Sequence, residues 1–116
     1  LYERLDFFEK AAEYYGEAYV EYQKINRLEA QRQALEKASE MAYKAGDHDT
    51  SLTFYSRLLF FFRTHNDPDG IRRTLQRLVQ TSTAAGYHTN ALEFHGQLLK
   101  QVRSEGDSAA VAAVFN

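Results

Sequence analysis

The feature that most constrains this chain is an internal repeat, because the sequence matches itself when it is shifted by 40 residues. The identities fall where a packed helical unit needs them: at a turn glycine, at apolar positions in helical register and at an aspartate between units. The identical pairs are Leu35/Leu75, Ala45/Ala85, Gly46/Gly86, His48/His88, Leu52/Leu92, Phe54/Phe94, Leu58/Leu98, Leu59/Leu99, Arg63/Arg103 and Asp67/Asp107. The register also extends backwards without a gap, since Asn26 aligns with Asn66. A repeat of this length predicts a stack of similar supersecondary units.

Each unit is predicted to be a pair of antiparallel helices, because its apolar residues recur at helical spacing. The predicted helices span roughly 5–23, Arg27–Ala45, Asp49–Arg63, Pro68–Ala85 and Thr89–Arg103. Gly46 and Gly86 are expected to end the first helix of each unit, since glycine takes the left-handed cap conformation without strain. Asp67 is expected to cap the following helix, with Pro68 at its first position, where a missing N–H costs nothing.

The pattern predicts an all-α fold in which residues 1–116 form one helical repeat domain of about three units. In this prediction 1–26 is the second helix of a partial unit, 27–66 and 67–106 are complete units, and 107–116 starts a further first helix. A helical hairpin cannot bury its own apolar face, so such arrays need about three repeats. We therefore expect this segment to belong to a longer array, in which exposed array ends could self-associate.

Composition narrows the classes of function. The chain has no cysteine, which excludes disulfides and cysteine-based zinc sites and fits a reducing compartment, so a cytoplasmic location is predicted. A net charge of −2 and a pI of about 6.1 disfavour a nucleic-acid partner. The longest uninterrupted apolar run, Leu58–Phe62, is far too short to span a membrane.

The residues of both units resemble the tetratricopeptide repeat (TPR) family in its long, 40-residue variety. In the first unit the resemblance is carried by Ala34-Leu35, Ala38, Ala42, Ala45-Gly46-Asp47, Leu52, Tyr55, Leu58-Leu59, Arg63 and Asn66-Asp67. In the second it is carried by Leu75, Leu78, Ala85-Gly86-Tyr87, Ala91-Leu92, Phe94, Leu98-Leu99, Arg103 and Gly106-Asp107. Three positions depart from the family pattern: Ser51 stands where a small apolar residue is common, Tyr87 replaces the aspartate after the glycine, and His95 replaces an aromatic residue.

The resemblance implies a right-handed α-α superhelix whose first helices line a concave, peptide-binding face. The residues expected on that face are Gln33, Glu36, Lys37, Glu40, Tyr43, Arg73, Gln76, Arg77, Gln80 and Thr83. Arg73 and Arg77 are four residues apart, so their guanidinium groups could hold a carboxylate or an acidic peptide. Lys37 stands where the family's carboxylate-binding modules carry an asparagine, and a solvated basic helix face is the more ordinary interpretation of the two arginines.

Phe61 is the other candidate contact residue. It aligns with Glu21 and Gln101, so its position is polar in both sister copies and a large apolar side chain there suggests a contact surface. On that interpretation a glutamate at position 61 would be tolerated by the fold. The alternative, which the pattern slightly favours, is packing against a neighbouring unit; Phe60, which aligns with Val20 and Lys100, is ambiguous.

No residue pattern in the chain predicts catalysis, a metal site or a cofactor. His48 and His88 occupy equivalent repeat positions, and stacked units place such positions roughly 8–10 Å apart, too far for shared metal ligation. The sequence has no nucleophile elbow, no phosphate-binding glycine loop and no His-Glu-x-x-His helix. The prediction is therefore a protein that is not an enzyme and binds neither nucleic acid nor membrane.

The favoured function is a scaffold that binds a protein or peptide partner on the concave face of a TPR-like solenoid. The alternative is a regulatory or sensory segment of a larger signalling or transcription regulator, including a bacterial one, that gates an attached output domain. An enzyme or nucleic-acid binder is the least favoured class.

Overall fold

A computed structural model describes the backbone of residues 2–115 and the side chains of residues 4–107. The described backbone forms five helices and no strand: α1 (Tyr2–Lys24), α2 (Leu28–Lys44), α3 (His48–Thr64), α4 (Pro68–Ala84) and α5 (His88–Phe115). The all-α prediction is confirmed, and four of the five helices have both ends within a few residues of the predicted positions. The helix starts from α2 onward are 20 residues apart, so the 40-residue repeat is a pair of helices; α2, α3 and α4 each have 17 residues, whereas α5 has 28.

Identical turns separate the helices. The residues with positive φ are Asn26, Gly46, Asn66 and Gly86, at φ values of 60°, 79°, 52° and 80°. In each turn the residue after the left-handed one returns a hydrogen bond five residues back, as in Asp47 N–H to the Ala42 carbonyl at 3.0 Å. This is the Schellman arrangement, which satisfies the last carbonyl groups of a helix. Asparagine replaces glycine in two turns because it tolerates the left-handed conformation better than most residues.

Aspartate side chains begin two of the helices. Asp47 accepts a hydrogen bond from Thr50 N–H at 3.2 Å, and Asp67 accepts one from Gly70 N–H at 3.0 Å. Pro68 occupies the first turn of α4, so both predictions for this helix start are confirmed. Arg27 has the same extended backbone at the start of α2, with φ −94° and ψ 90°, but its side chain makes no cap hydrogen bond.

The helices stack in chain order, each packing chiefly on the next. The radius of gyration is 16.0 Å, against about 13 Å for a compact domain of this length, and the molecule measures 55 × 37 × 19 Å. Among the described residues the fold is thus an open array and not a closed bundle. We call α2 and α4 the first helices and α1, α3 and α5 the second helices.

Equivalent residues of the first helices are buried. Leu35 and Leu75 are 1% and 0% exposed, and the neighbouring pair Ala38 and Leu78 is also fully enclosed. The three leucines pack with the second-helix residues Tyr55, Leu58, Leu59 and Phe62 in one continuous apolar cluster. Burial therefore follows the 40-residue register, as a stacked repeat requires.

The end of the last helix was predicted wrongly. A break near Arg103 was expected, but α5 continues through Gly106 and Asp107 to Phe115. Gly106 does not adopt positive φ, unlike the residues at the four turns. The alanines that follow, from Ala109 to Ala113, have the highest helix propensity, and position 108 is serine where α4 starts with Pro68. The side chains of 108–116, assigned by prediction to a further first helix, lie outside the described residues.

At Gly70, α4 approaches α3 closely. A Cβ atom at this position would lie 2.6 Å from both Cγ and Cε1 of Phe62, whose side chain is buried. We expect Gly70→Ala to destabilise the fold by about 1–3 kcal/mol, because the ring cannot move without opening the α3–α4 contact. Urea unfolding followed by circular dichroism measures this difference.

Gly96→Ala is the matched control for that substitution. Gly96 is also inside a helix, but a Cβ atom there would meet nothing within 4 Å. It should stabilise the protein by about 0.5–1 kcal/mol, since alanine loses less backbone entropy on folding. Equal effects at the two glycines would contradict a close approach at Gly70.

Arg27→Asp should stabilise the protein, because it gives α2 the side-chain cap that α3 and α4 already have. The expected gain is about 0.5–1 kcal/mol in the free energy of unfolding, with Arg27→Ala as the control that removes arginine without adding an acceptor. The idea fails if aspartate and alanine at this position are equally stable.

Candidate binding groove

An open groove lies between the two first helices, with α3 beneath it. Its volume is about 520 Å³. The floor is formed by Tyr55, Leu58 and Phe62, three residues of one α3 face that belong to the apolar cluster. We call this the central groove. It lies over a part of α3 that is almost completely covered, since Tyr55, Leu58 and Phe62 are 7%, 3% and 2% exposed.

The two walls of the central groove carry opposite charges. Glu36 and Glu40 line it from α2, whereas Arg73 and Arg77 line it from α4. Residues four apart lie on the same helix face, so each pair presents two like charges one turn apart. The groove as a whole is neutral but polarised across its width. A ligand that carries charge of one sign only would meet repulsion at one wall.

Neighbouring side chains hold the acidic wall. Arg32 Nη1 lies 2.8 Å from Glu36 Oε1, and Lys44 Nζ lies 3.3 Å from Glu40 Oε1. Arg32 also pairs with Glu29, whose pKa this hydrogen bond lowers. The carboxylates of Glu36 and Glu40 each retain a second oxygen that can accept a hydrogen bond from a ligand.

The two arginines of the basic wall have different surroundings. Arg73 Nε lies 3.1 Å from Asp69 Oδ2, and the guanidinium carbon stands 5.9 Å from the centre of the Phe62 ring. Arg77 Nη1 donates to Gln80 Oε1 at 3.3 Å and makes no ion pair with a described side chain. Of the two arginines, Arg77 is therefore better placed to donate hydrogen bonds to an anionic ligand.

Arg72 faces away from the central groove. Its Nη1 atom lies 3.0 Å from Glu105 Oε1 of α5, and it also pairs with Asp69. This arginine links α4 to α5 and belongs to the packing of the array. The sequence places it next to Arg73, but the 100° step between consecutive helical residues turns it to the other side.

Tyr55 brings a hydroxyl group to the floor of the groove. Burial raises its pKa, and the positive charge of Arg77 opposes that rise whereas Glu40 adds to it. The phenol is therefore neutral at physiological pH and can both donate and accept a hydrogen bond. It adds a polar point to a floor that is otherwise apolar.

The structure brings together six of the ten residues predicted for the binding face. Those that line the central groove are Glu36, Glu40, Arg73, Gln76, Arg77 and Gln80. The other four do not line it. Gln33 and Lys37 are exposed on the outer part of α2, and Thr83 is exposed on α4, where its hydroxyl donates to the Val79 carbonyl at 2.8 Å. Tyr43 is half-buried, with its ring centre 5.6 Å from that of His48.

The floor residues were not predicted as binding residues. Tyr55, Leu58 and Phe62 have the spacing of a core face, and they are indeed buried. Periodicity identifies such a face but cannot tell which part of it ends at an opening between two other helices. The available signal was the aromatic character of positions 55 and 62, since aromatic side chains are favoured at binding surfaces.

Phe61 is half-buried and packs against the apolar cluster. Its ring lies 5.9 Å from that of Phe62 and stacks on His65 at 4.3 Å. The geometry favours the packing alternative for this residue. Of the neighbours Phe60 and Phe61, Phe60 is the exposed one, with 73% of its surface accessible.

Phe61→Glu should therefore destabilise the protein, contrary to the expectation from alignment with the sister copies. A charge placed against the apolar cluster should lower the free energy of unfolding by about 1–3 kcal/mol. Phe60→Glu is the control one residue away and should change stability by less than about 0.5 kcal/mol. Thermal unfolding of the two variants decides between them; an unaffected Phe61→Glu protein would return this residue to the contact-surface interpretation.

Other groups add no second site in the central groove. No cluster of three or more potential metal ligands occurs among the described residues. His48 has a buried Nδ1 atom without a hydrogen-bond partner, and His88 is exposed. None of the helices, over the residues that could be searched, is both long and apolar enough to cross a membrane.

Comparison with known proteins gives no relative: no family model matches the chain, and no curated protein matches it significantly. The resemblance to the TPR family therefore stays a prediction from the residues quoted for it. The fold itself does not depend on that resemblance.

Proposed function

We propose that this domain is a protein-interaction module that binds a peptide segment of a partner in the central groove. The observation that carries the proposal is the combination of an apolar floor with two oppositely charged walls in one open groove. Ligand-binding grooves in proteins typically combine apolar contact area with a few polar groups that fix orientation.

The charge arrangement suggests the character of the ligand. An acidic group of the partner would face Arg77 and Arg73, while a basic group or hydrogen-bond donor would face Glu36 and Glu40. An apolar side chain between them would contact Leu58 and Phe62. A purely acidic peptide, which the arginines alone would favour, fits this groove less well because the α2 wall would repel it.

The helices that form the groove are held by packing on both sides, so binding should order few receptor side chains. A short peptide in such a groove would bind with a dissociation constant of about 1 μM, or about −8 kcal/mol. Tighter binding would come from further contacts of the same partner elsewhere on the array. A gating role in a larger regulator remains an alternative prediction that no feature of the groove favours.

The test is a selection of binding peptides from a random display library, followed by affinity measurement for the enriched sequences. Arg73→Glu combined with Arg77→Glu should weaken their binding by at least about tenfold, because truncating or reversing charges in an interface commonly costs more than about 1.4 kcal/mol. Helix content by circular dichroism should be unchanged, since both arginines are exposed.

Lys100→Glu combined with Arg103→Glu is the matched control. Both residues are exposed on α5, away from the central groove, and the change in net charge is the same. It should leave the affinity within about twofold, the scale of a surface substitution. If both double variants lose binding equally, the effect is one of net charge and the groove proposal is wrong.

A further inference from the structure

A second type of groove lies between neighbouring second helices and is lined by a different set of α3 residues. The first of these, the α1–α3 groove, has a volume of about 470 Å³. Its floor contains Ala12, Gly16 and Phe54, and its rim on α1 carries Glu9, Glu13 and Glu17. The pair Phe54 and Arg57 points about 100° around the α3 axis from the pair Tyr55 and Leu58, and the two grooves share no lining residue, so this groove is separate from the central groove.

Glycine shapes the floor of the α1–α3 groove. A Cβ atom on Gly16 would lie 2.9 Å from Cζ of Phe54, so only glycine allows α1 to approach this ring so closely. The guanidinium group of Arg57 stands over the same ring at 5.7 Å and over Tyr19 at 6.0 Å. Val20, which is 41% exposed, extends the apolar surface towards the end of α1.

The rim carboxylates lie at positions i, i+4 and i+8, so all three point from one face of α1. None of them forms an ion pair with a described side chain, although other acidic residues of the same helix, Asp6 and Glu21, do. Like charges at this spacing destabilise an isolated helix. Asp47 adds a fourth carboxylate to the lining, against the single positive charge of Arg57.

The repeat supplies an internal comparison. A groove of about 560 Å³ lies between α3 and α5 at the equivalent place in the repeat. Its residues Leu52, Ser56 and Phe94 align with Ala12, Gly16 and Phe54 of the α1–α3 groove. At the rim, however, Thr53 and Arg57 replace Glu13 and Glu17. Asp49, which aligns with Glu9, does not line the α3–α5 groove. The groove is thus a property of the stacked fold, whereas of these two grooves only the α1–α3 groove has an acidic lining.

We propose that the α1–α3 groove docks a basic, amphipathic helix of a partner protein. Charge complementarity selects the sign of the partner, and the apolar floor requires a stripe of small apolar side chains beside its basic ones. The three carboxylates are spaced about 6 Å apart along the axis of α1. Lysine or arginine side chains four residues apart on a helix that lies alongside α1 would have the same spacing. The proposal does not rest on ligand binding in the central groove.

The test uses a 14-residue synthetic peptide with lysines at every fourth position, leucine and alanine on the adjacent stripe, and blocked ends. It is titrated into the ¹⁵N-labelled protein at low salt and followed by NMR. The expected amide shift changes fall on residues 9–20 of α1 and on 42–54. Changes confined to the walls of the central groove, or spread evenly over acidic surface residues, would overturn the proposal.

Substitutions then separate this site from general charge attraction. Glu13→Gln combined with Glu17→Gln should weaken the peptide by about fivefold, the effect of losing two exposed ion pairs. Glu21→Gln combined with Glu93→Gln removes the same charge from exposed positions outside the groove lining and should have no effect. Equal weakening by both double variants would sink the proposal.

Two further measurements fix the nature of the occupant. A peptide with serine in place of leucine keeps the charge but loses the apolar stripe, and it should bind much more weakly. Equal binding would show that charge alone is recognised. The Arg73→Glu/Arg77→Glu variant should bind the basic peptide as well as the unmodified protein does, so failure of the central-groove proposal would leave this one standing.

Discussion

The fold depends on a left-handed residue that recurs every 20 positions. Asn26, Gly46, Asn66 and Gly86 each reverse the chain with the same hydrogen-bond pattern, and each leaves a residue in position to begin the next helix. Turns of one geometry that recur every 20 residues give hairpins of similar shape. Such hairpins stack at a constant offset, and a constant offset produces an open array with grooves at regular intervals. The local backbone conformation at four residues thus sets the surface available for binding.

The two grooves that α3 lines arise from the same packing but differ in their charges. Between first helices, the central groove is lined by two acidic and two basic residues and is neutral overall. Between α1 and α3, four carboxylates face one guanidinium group. Backbone stacking dictates that both depressions exist, because the helices alternate and cannot cover one another completely. Side-chain charge at the rims, which costs the fold little, is free to differ between copies and gives each depression its own preference.

Buried polar residues show how a repeat tolerates departures from its pattern. Ser51 stands where the sister copy has Ala91, and its hydroxyl donates to the Ser39 carbonyl of α2 at 2.9 Å. Both serines are fully enclosed, so the extra oxygen is accepted only because a backbone partner lies opposite it. Ser39 in turn donates to the Leu35 carbonyl at 2.7 Å. Serine at position 51 therefore adds a hydrogen bond to the α2–α3 contact that alanine at position 91 cannot make in α5.

Sequence periodicity predicted the helices and their caps because these depend on residues close together in the chain. Gly46, Asp67 and Pro68 act within one helical turn of where they stand, so their effects are visible in the sequence. The groove floor and the orientation of Phe61 depend on which neighbouring helix covers a given face, and the alignment with polar sister residues could not decide between packing and a contact surface at Phe61. The end of α5 shows the competition between the two kinds of information. Gly106-Asp107 has the sequence pattern of a turn, but the alanines that follow it favour a continued helix. Among the described residues, no further helix packs on Leu92 and Leu99 of α5, which are 73% and 53% exposed. A glycine-aspartate pair reverses the chain where the segment after it can bury apolar surface, as α4 does against Phe62. The left-handed conformation of one residue does not by itself supply this stabilisation.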